Sequence, residues 1–361
     1  MDNYRDTYAK VNLLALKRNV EYIYSKAKKP IMAIVKANAY GHGACEVALY
    51  IENMPCIAMF GVATLKEGIE LRNKGIKKDI LVLGATRKED LNLASQYDIT
   101  ISIFSMEFLS EIIDVDLKSL LKAHIKLDTG MNRIGLKGCD ELNRALLKLK
   151  DKKNIEIEGV FTHYGAADEL NQTYDQQFNR FKEAVGNRQF KYIHAANTAG
   201  ALYHVEDFTN LVRAGIAIYG MEPNGSDDTT LEQVMSLYTK VVMVKPLKKG
   251  EMVGYGFTYR ARQDEWLATV PIGYADGIIR KNQNRHVCIN GRYYQIVGRV
   301  CMDQMMIRVD SNVRVGDEVE IFGPHITLNQ MSKELDTIPH EILCLLSSRV
   351  SRLYYEDKVS I

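Results

Sequence analysis

The sequence predicts an α/β chain: a (β/α)8 TIM-like barrel over residues 1–230, followed by a mostly-β domain over 231–361. Three observations carry this reading. Short apolar runs alternate with longer helical patterns through the first two-thirds, the signature of βαβ units and a parallel sheet. About eight such runs fit within roughly 200 residues, as a closed eight-stranded barrel requires. After about residue 230 the β-rich runs come at shorter intervals, and Asn290-Gly291 stands between two of them as a hairpin turn. An open doubly wound sheet is the competing architecture.

In chain order, the barrel strands read as Ile31–Lys36, Ile57–Ala63, Ile80–Gly84, Ile99–Ile103, Ala123–Asp128, Ile155–His163, Lys191–Ala195 and Leu211–Tyr219. Between them, Thr64–Gly75, Arg87–Tyr97 and Asn171–Asn187 show helical spacing and helix-forming residues. Asn224–Thr230 is polar and rich in Gly, Asp and Thr, and reads as a linker or long loop. Beyond it, Tyr238–Pro246, Trp266–Ile272, His286–Ile289, Tyr293–Val297, Met305–Val309 and Glu318–Phe322 read as strands. Helical patterns return only at Leu328–Leu335 and His340–Leu346.

The bulk composition limits the functional classes. Lys plus Arg is 47 against 45 for Asp plus Glu, a net charge of +2, which argues against a nucleic-acid-binding protein. No apolar run approaches the ~20 residues that span a bilayer. The polar, acidic start is unlike a secretory signal, so a cytoplasmic protein is expected. The six cysteines (Cys45, Cys56, Cys139, Cys288, Cys301 and Cys344) are scattered without a C-x-x-C pair, and read as free thiols. His163 and the other histidines lack metal-ligand spacing, so no metal is expected.

In a parallel barrel the chemistry gathers at the carboxyl ends of the strands. Lys36 closes the apolar strand Ile-Met-Ala-Ile-Val, where a charge is expensive to bury. An amine there can form a Schiff base with a carbonyl once its pKa is depressed; the plainer alternative is a lysine reaching out to water. Gly41-His42-Gly43 permits close backbone approach to a ligand. Asn197-Thr198 and Arg213-Ala214-Gly215-Ile216 offer hydroxyl and N–H donors where a phosphate could sit, although turns and helix caps use the same residues. A Schiff-base lysine with a phosphate cup on late strands is what pyridoxal phosphate requires. His163 could stack on a cofactor ring or be a hydrogen-bonded core histidine. Tyr255, between Gly254 and Gly256, is a candidate acid/base that needs cationic neighbours, or else a surface aromatic.

These residues together resemble the alanine racemase family over nearly the whole length. The likeness starts at Arg5–Leu13 and includes Ala33-Ile-Val-Lys36-Ala-Asn-Ala-Tyr40-Gly-His-Gly43 and the stretch from Lys126 to Gly135 around Arg133. Thr162-His163, Asn197-Thr198, Arg213 to Ile216, Gly254-Tyr255-Gly256, Gly273-Tyr274-Ala-Asp-Gly277 and Gly298-Arg-Val-Cys-Met302-Asp-Gln304 follow in the family's order. The resemblance implies pyridoxal 5'-phosphate held covalently by Lys36, which also acts as one base. Tyr255, from a second subunit, would be the base on the opposite face, making a homodimer with shared active sites necessary for activity. Arg213 would bond the pyridine nitrogen, and Tyr40, Thr198, Gly215 and Ile216 the phosphate, with Asn197 alongside and His163 beside the ring. Arg133 and the Met302 backbone would bind the substrate carboxylate. Lys126 matches a lysine carbamylated in many relatives, and Tyr274 belongs to a supporting motif.

Two departures bear on substrate. The family's usual tyrosine near the C-terminus, which lines the pocket, is Ser348 here, and the usual proline after the pyridine-binding arginine is Ala214. Loss of a phenol ring opens room for a serine side chain, and serine racemases of the vancomycin-resistance type resemble this family and lack that tyrosine. The expectation is therefore a racemase for alanine and serine that supplies D-amino acid for cell-wall precursors. The alternatives are a strict alanine racemase, a pyridoxal-phosphate decarboxylase of similar architecture, and a non-enzymatic pyridoxal carrier.

Overall fold

A computed structural model describes residues 5–169, 172–204, 207–226 and 230–356. The chain begins with β1 (Tyr8–Asn12), then builds eight parallel strands: β2 (Ile31–Ile34), β3 (Ile57–Val62), β4 (Asp79–Val82), β5 (Ile101–Ile103), β6 (Leu121–Lys126), β7 (Ile155–Phe161), β8 (Tyr192–His194) and β9 (Val212–Ala214). They pair in the order β4-β3-β2-β9 and β5-β6-β7-β8. Single parallel bridges, Leu81 with Thr100 and His194 with Leu211, join the two sets and close the barrel. The eight expected runs are these eight strands. β2 and β5 are buried at every position, as strands covered on both faces must be.

The helices between strands begin and end where local chemistry dictates. Thr64 and Glu67 form a reciprocal capping box on helix Leu65–Asn73. Asn12 caps Leu13–Ala27, and Thr173–Val185 stops at Gly186. The last barrel run, expected to reach Tyr219, leaves the extended form at Ala214. Gly215 turns the chain there, and a Cβ on it would lie 2.8 Å from the Tyr40 hydroxyl. A short 3-10 turn, Ile216–Tyr219, takes the remaining apolar residues into the core.

The second unit is a nine-stranded sheet plus a two-stranded ribbon. Its strands are β10 (Met235–Lys240), β11 (Met243–Leu247), β12 (Met252–Val253), β13 (Tyr259–Arg260), β14 (Glu265–Val270), β15 (His286–Ile289), β16 (Arg292–Val297), β17 (Met305–Val309), β18 (Glu318–Phe322) and β19 (Ser351–Tyr355). The sheet order is β11-β14-β17-β16-β15-β18-β10-β1-β19. The single run expected at Tyr238–Pro246 is two strands, because the backbone changes partner between them: Val241 N–H bonds Asp317 and Val242 N–H bonds Thr269. Asn290 (φ 51°) and Gly291 (φ 75°) make the expected tight turn between β15 and β16.

Within the segment 1–230, β1 does not sit in the barrel: it pairs with β10 and β19 in the second sheet. The expected linker Asn224–Thr230 falls partly outside the described residues, at 227–229. Helix Pro339–Leu345 of the second unit packs on the segment after β2, where a Cβ on Gly41 would lie 2.3 Å from Leu343 O.

Candidate active site

At the carboxyl end of β2 the chain turns in an unusual way. Ala37, Asn38, Ala39 and Tyr40 all have φ between 50° and 53°, followed by Gly41 at 79°. Four consecutive non-glycine residues in left-handed helical geometry cost roughly 1–2 kcal/mol each. Such strain persists only where surrounding structure holds it, and it clusters at functional sites. Glu67 accepts from Ala37 N–H at 2.7 Å, and Asn38 Oδ1 accepts from Ala44 N–H at 2.9 Å. The turn carries Lys36 at its start and Tyr40 at its end.

Ten of the residues singled out by sequence line one cavity of about 320 Å³ at the barrel mouth: Lys36, Tyr40, Lys126, Arg133, His163, Asn197, Thr198, Arg213, Gly215 and Ile216. Each comes from a strand end or the loop after it. Lys126 ends β6, His163 follows β7, Asn197 and Thr198 follow β8, and Arg213 lies within β9. Asn197 caps the short helix Thr198–Tyr203, accepting from Gly200 N–H at 3.0 Å. Gly215 N–H donates to Thr198 Oγ1 at 2.9 Å, so hydroxyl and backbone share one cradle.

The cavity is strongly cationic. Burial, then the neighbouring Arg133 charge, holds Lys36 below the ordinary lysine range. Burial, with Arg133 and Arg213, pushes Lys126 down to about 7. His163 is held well below its usual value by burial and by Arg213, and so is neutral. Burial raises the Tyr40 phenol, which stays protonated. Two arginines and two lysines facing one space select a ligand with several negative charges.

Arg213 is fixed by acceptors on several sides. It donates to Thr162 O at 2.7 Å, Ala195 O at 2.6 Å and His194 Nδ1 at 2.8 Å. His194 Nε2 lies 2.9 Å from His124 Nδ1. An arginine only donates, so His194 accepts at Nδ1 and carries its proton on Nε2.

Four predicted residues are not brought to this cavity within one chain. Tyr255 is 71% exposed and shares a separate surface pocket with Tyr274, Arg280 and Arg299. Met302 is half exposed, and its carbonyl accepts from Ala275 N–H. Ser348 is exposed; its neighbour Arg349 bonds Asp303 at 2.7 Å. Conversely, His340 lines the cavity, its ring 5.7 Å from that of Tyr40, and sequence reasoning passed over it. Its helical stretch was legible, but the packing of that helix on the Lys36 turn is long-range and leaves no local signal. Asp168, Leu83 and Pro223 join the wall in the same way, beside Ile34, Phe161 and Ala199.

The residues fit pyridoxal phosphate. The cavity volume falls in the range of cofactor sites, about 300–1,000 Å³. A Cβ on Gly215 would meet the Tyr40 hydroxyl, so the backbone is bare where a phosphate needs N–H groups. The charges supplied match a phosphate and a carboxylate.

Comparison with known proteins agrees. The alanine racemase N-terminal domain model matches residues 11–223, and the C-terminal domain model matches residues 234–354. Alanine racemase of Ligilactobacillus salivarius is 41% identical, with 97% of this chain and 98% of that protein covered. The structure of alanine racemase from Bacillus anthracis with bound L-Ala-P superposes with a TM-score of 0.93 at 37% identity, covering 99% of this chain and 97% of that one. Histidine racemase from Leuconostoc mesenteroides subsp. sake superposes with a TM-score of 0.90 at 30% identity, covering 98% and 99%. With both halves of the chain matched, the fold shared and the mouth of the barrel built for an anionic cofactor, the chain belongs to the alanine racemase family.

Proposed function

We propose that this racemase interconverts the enantiomers of alanine and of serine, using Lys36 and the Tyr255 of a second copy as bases on opposite faces of the substrate. The observation that supports it most is the strained turn that presents Lys36 to a cavity lined by Lys126, Arg133 and Arg213. Pyridoxal phosphate is the cofactor of the family, and when bound it supplies an electron sink for the bond to the substrate Cα proton. Lys36 would hold it. Tyr40, Thr198, Gly215 and Ile216 would seat its phosphate.

The protein's own groups then divide the work. Lys36, its proton affinity lowered by burial and neighbouring charge, takes or returns the Cα proton on one side. The phenol of Tyr255 does so on the other, which inverts the centre without turning the substrate. Arg213 cannot give up a proton, so it would donate to the ring nitrogen and leave that nitrogen unprotonated. This favours reversible proton exchange over decarboxylation, which an acidic partner would have promoted. Arg133 and the backbone at Met302 would bind the substrate carboxylate. The uncharged amine is the form that adds carbon dioxide, and Lys126 reaches it at about pH 7; a carbamate there would place an anion near Arg133.

The relatives bear on the choice of substrate. The Ligilactobacillus protein is named an alanine racemase. The Leuconostoc neighbour is a histidine racemase, which supports the view that this scaffold accepts side chains larger than a methyl. Serine differs from alanine by one hydroxyl, and Ser348 stands where the resemblance puts the family's usual tyrosine, although it does not line the cavity of its own chain. The test is chiral chromatography of the cofactor-loaded protein given L-alanine and L-serine separately, with Lys36→Ala as the control. Turnover of both is expected. Alanine turnover alone would leave a strict alanine racemase, and carbon dioxide release would mark a decarboxylase.

A further inference from the structure

The left-handed turn after Lys36 has to be held, and the cavity residues do not hold it. Two fully buried rings behind it do. His42 Nδ1 lies 3.0 Å from Ala39 O and 3.0 Å from Tyr40 O. Both partners are carbonyls, which only accept, so Nδ1 carries the proton and the ring is the Nδ1–H tautomer. His42 Nε2 is then an acceptor, buried and without a partner among the described residues. Burial pushes the imidazole down to about 4, so it stays neutral at neutral pH.

On its other face His42 stacks on Tyr219, ring centres 4.5 Å apart at 29°. The Tyr219 hydroxyl donates to Ile34 O at 2.9 Å, and its ring also packs on Tyr40 at 5.0 Å. One ring therefore grips the backbone two residues before Lys36, and the other grips it three and four residues after. Neither ring lines the cavity.

We propose that His42 and Tyr219 form a positioning pair that clamps the backbone on both sides of Lys36 and so fixes the left-handed turn that aims Lys36 and Tyr40 at the cofactor. The claim rests on the reading that Lys36 is the lysine joined to pyridoxal phosphate. β19 reinforces the clamp from the second unit: Arg352 Nε donates to Gly41 O at 2.9 Å, and the Tyr354 hydroxyl donates to His42 O at 3.0 Å. The clamp thus ties the carboxyl end of one barrel strand to the far end of the chain.

The experiment uses the full-length protein and pyridoxal phosphate itself. His42→Phe keeps the stack on Tyr219 and removes the donor; His42→Asn keeps a donor near the Nδ1 position; Tyr219→Phe removes the bond to Ile34 O alone. His42→Phe is expected to bind pyridoxal phosphate about tenfold more weakly, as loss of about two backbone hydrogen bonds implies. Its visible circular dichroism per bound cofactor should change, since the lysine is no longer held in one orientation. His42→Asn should recover both properties in part, and Tyr219→Phe should show a smaller loss. Wild-type affinity and wild-type dichroism in His42→Phe, whatever its melting temperature, would overturn the proposal.

Histidine-labelled wild type gives a second reading that needs no variant. Nitrogen NMR should show one neutral Nδ1–H imidazole that does not titrate above pH ~5, assigned by its proximity to the Tyr219 ring. An Nε2–H ring at that position would also overturn the proposal. Borohydride reduction and peptide mapping of the wild type keeps the underlying reading separate. A label on a lysine other than Lys36 would remove that reading, and with it the link between turn and cofactor.

Discussion

Lys36, half-buried, and Lys126, buried, carry amines whose affinity for a proton is lowered in the same sense. The consequence for stability has a definite sign. From about pH 7 up to the ordinary lysine value near ~10.4, the unfolded chain holds a proton on residue 126 that the folded chain has released. The unfolded state binds more protons there, so stability should rise with pH across that window and flatten above it. Below about pH 7 both states are protonated and the full cost of burying the charge remains. Lys126→Met should therefore raise the melting temperature of the cofactor-free protein at pH 7 and flatten its rise toward pH 10. Thermal melts across that range check it, and a variant with the wild-type slope would show that the amine is ordinary. A carbamate on Lys126 is tested separately by carbon-13 NMR of protein equilibrated with labelled bicarbonate. At the same scale, Lys36→Ala should lower racemisation by at least ~10³-fold, because the proposed roles make Lys36 both the anchor and one base.

The elements that hold these residues can be separated by mutation. Glu67 serves two structures: its carboxylate completes the capping box with Thr64 and accepts from Ala37 N–H in the left-handed turn. Thr64→Ala should cost about 1 kcal/mol of stability and leave cofactor affinity alone. Glu67→Ala should cost a similar amount and also weaken pyridoxal phosphate binding, since the turn loses a backbone partner. Denaturant titration and cofactor titration on the two variants distinguish the effects. The capping box is readable from sequence as Thr-x-x-Glu, and the barrel strands are readable because each is a short apolar run between helical patterns. The second role of Glu67 is not readable, because it depends on where the turn after β2 comes to lie. The same holds for His340 and for β1. β1 is five residues long and finds its partners, β10 and β19, only across more than two hundred residues of intervening chain. Local pattern identifies elements; it does not say which distant element will complete a cavity or a sheet.

At the scale of the whole molecule, Tyr255, the proposed second base, has to reach a cavity that its own chain does not bring it to. Within one chain it is exposed and belongs to a surface region with Phe257 and Met252, themselves 64% and 43% exposed, beside a pocket of about 630 Å³. Large exposed apolar side chains gathered in one place mark an association surface. If two copies meet there with two-fold symmetry, each cavity receives the Tyr255 of the other copy, and each dimer has two mixed sites. Subunit mixing tests this without any structural probe. Lys36→Ala and Tyr255→Phe homodimers should both be nearly inactive. When the two are unfolded together and refolded at equal amounts, about half the dimers are hybrids. In a hybrid one site carries both substitutions and the other carries neither. The mixture should therefore recover about a quarter of wild-type activity, if the sites turn over independently. If Tyr255 served the cavity of its own chain, every site in the hybrid would carry one substitution, and mixing would recover nothing. The recovered fraction thus reports both that the protein is a dimer and that its two bases come from different chains.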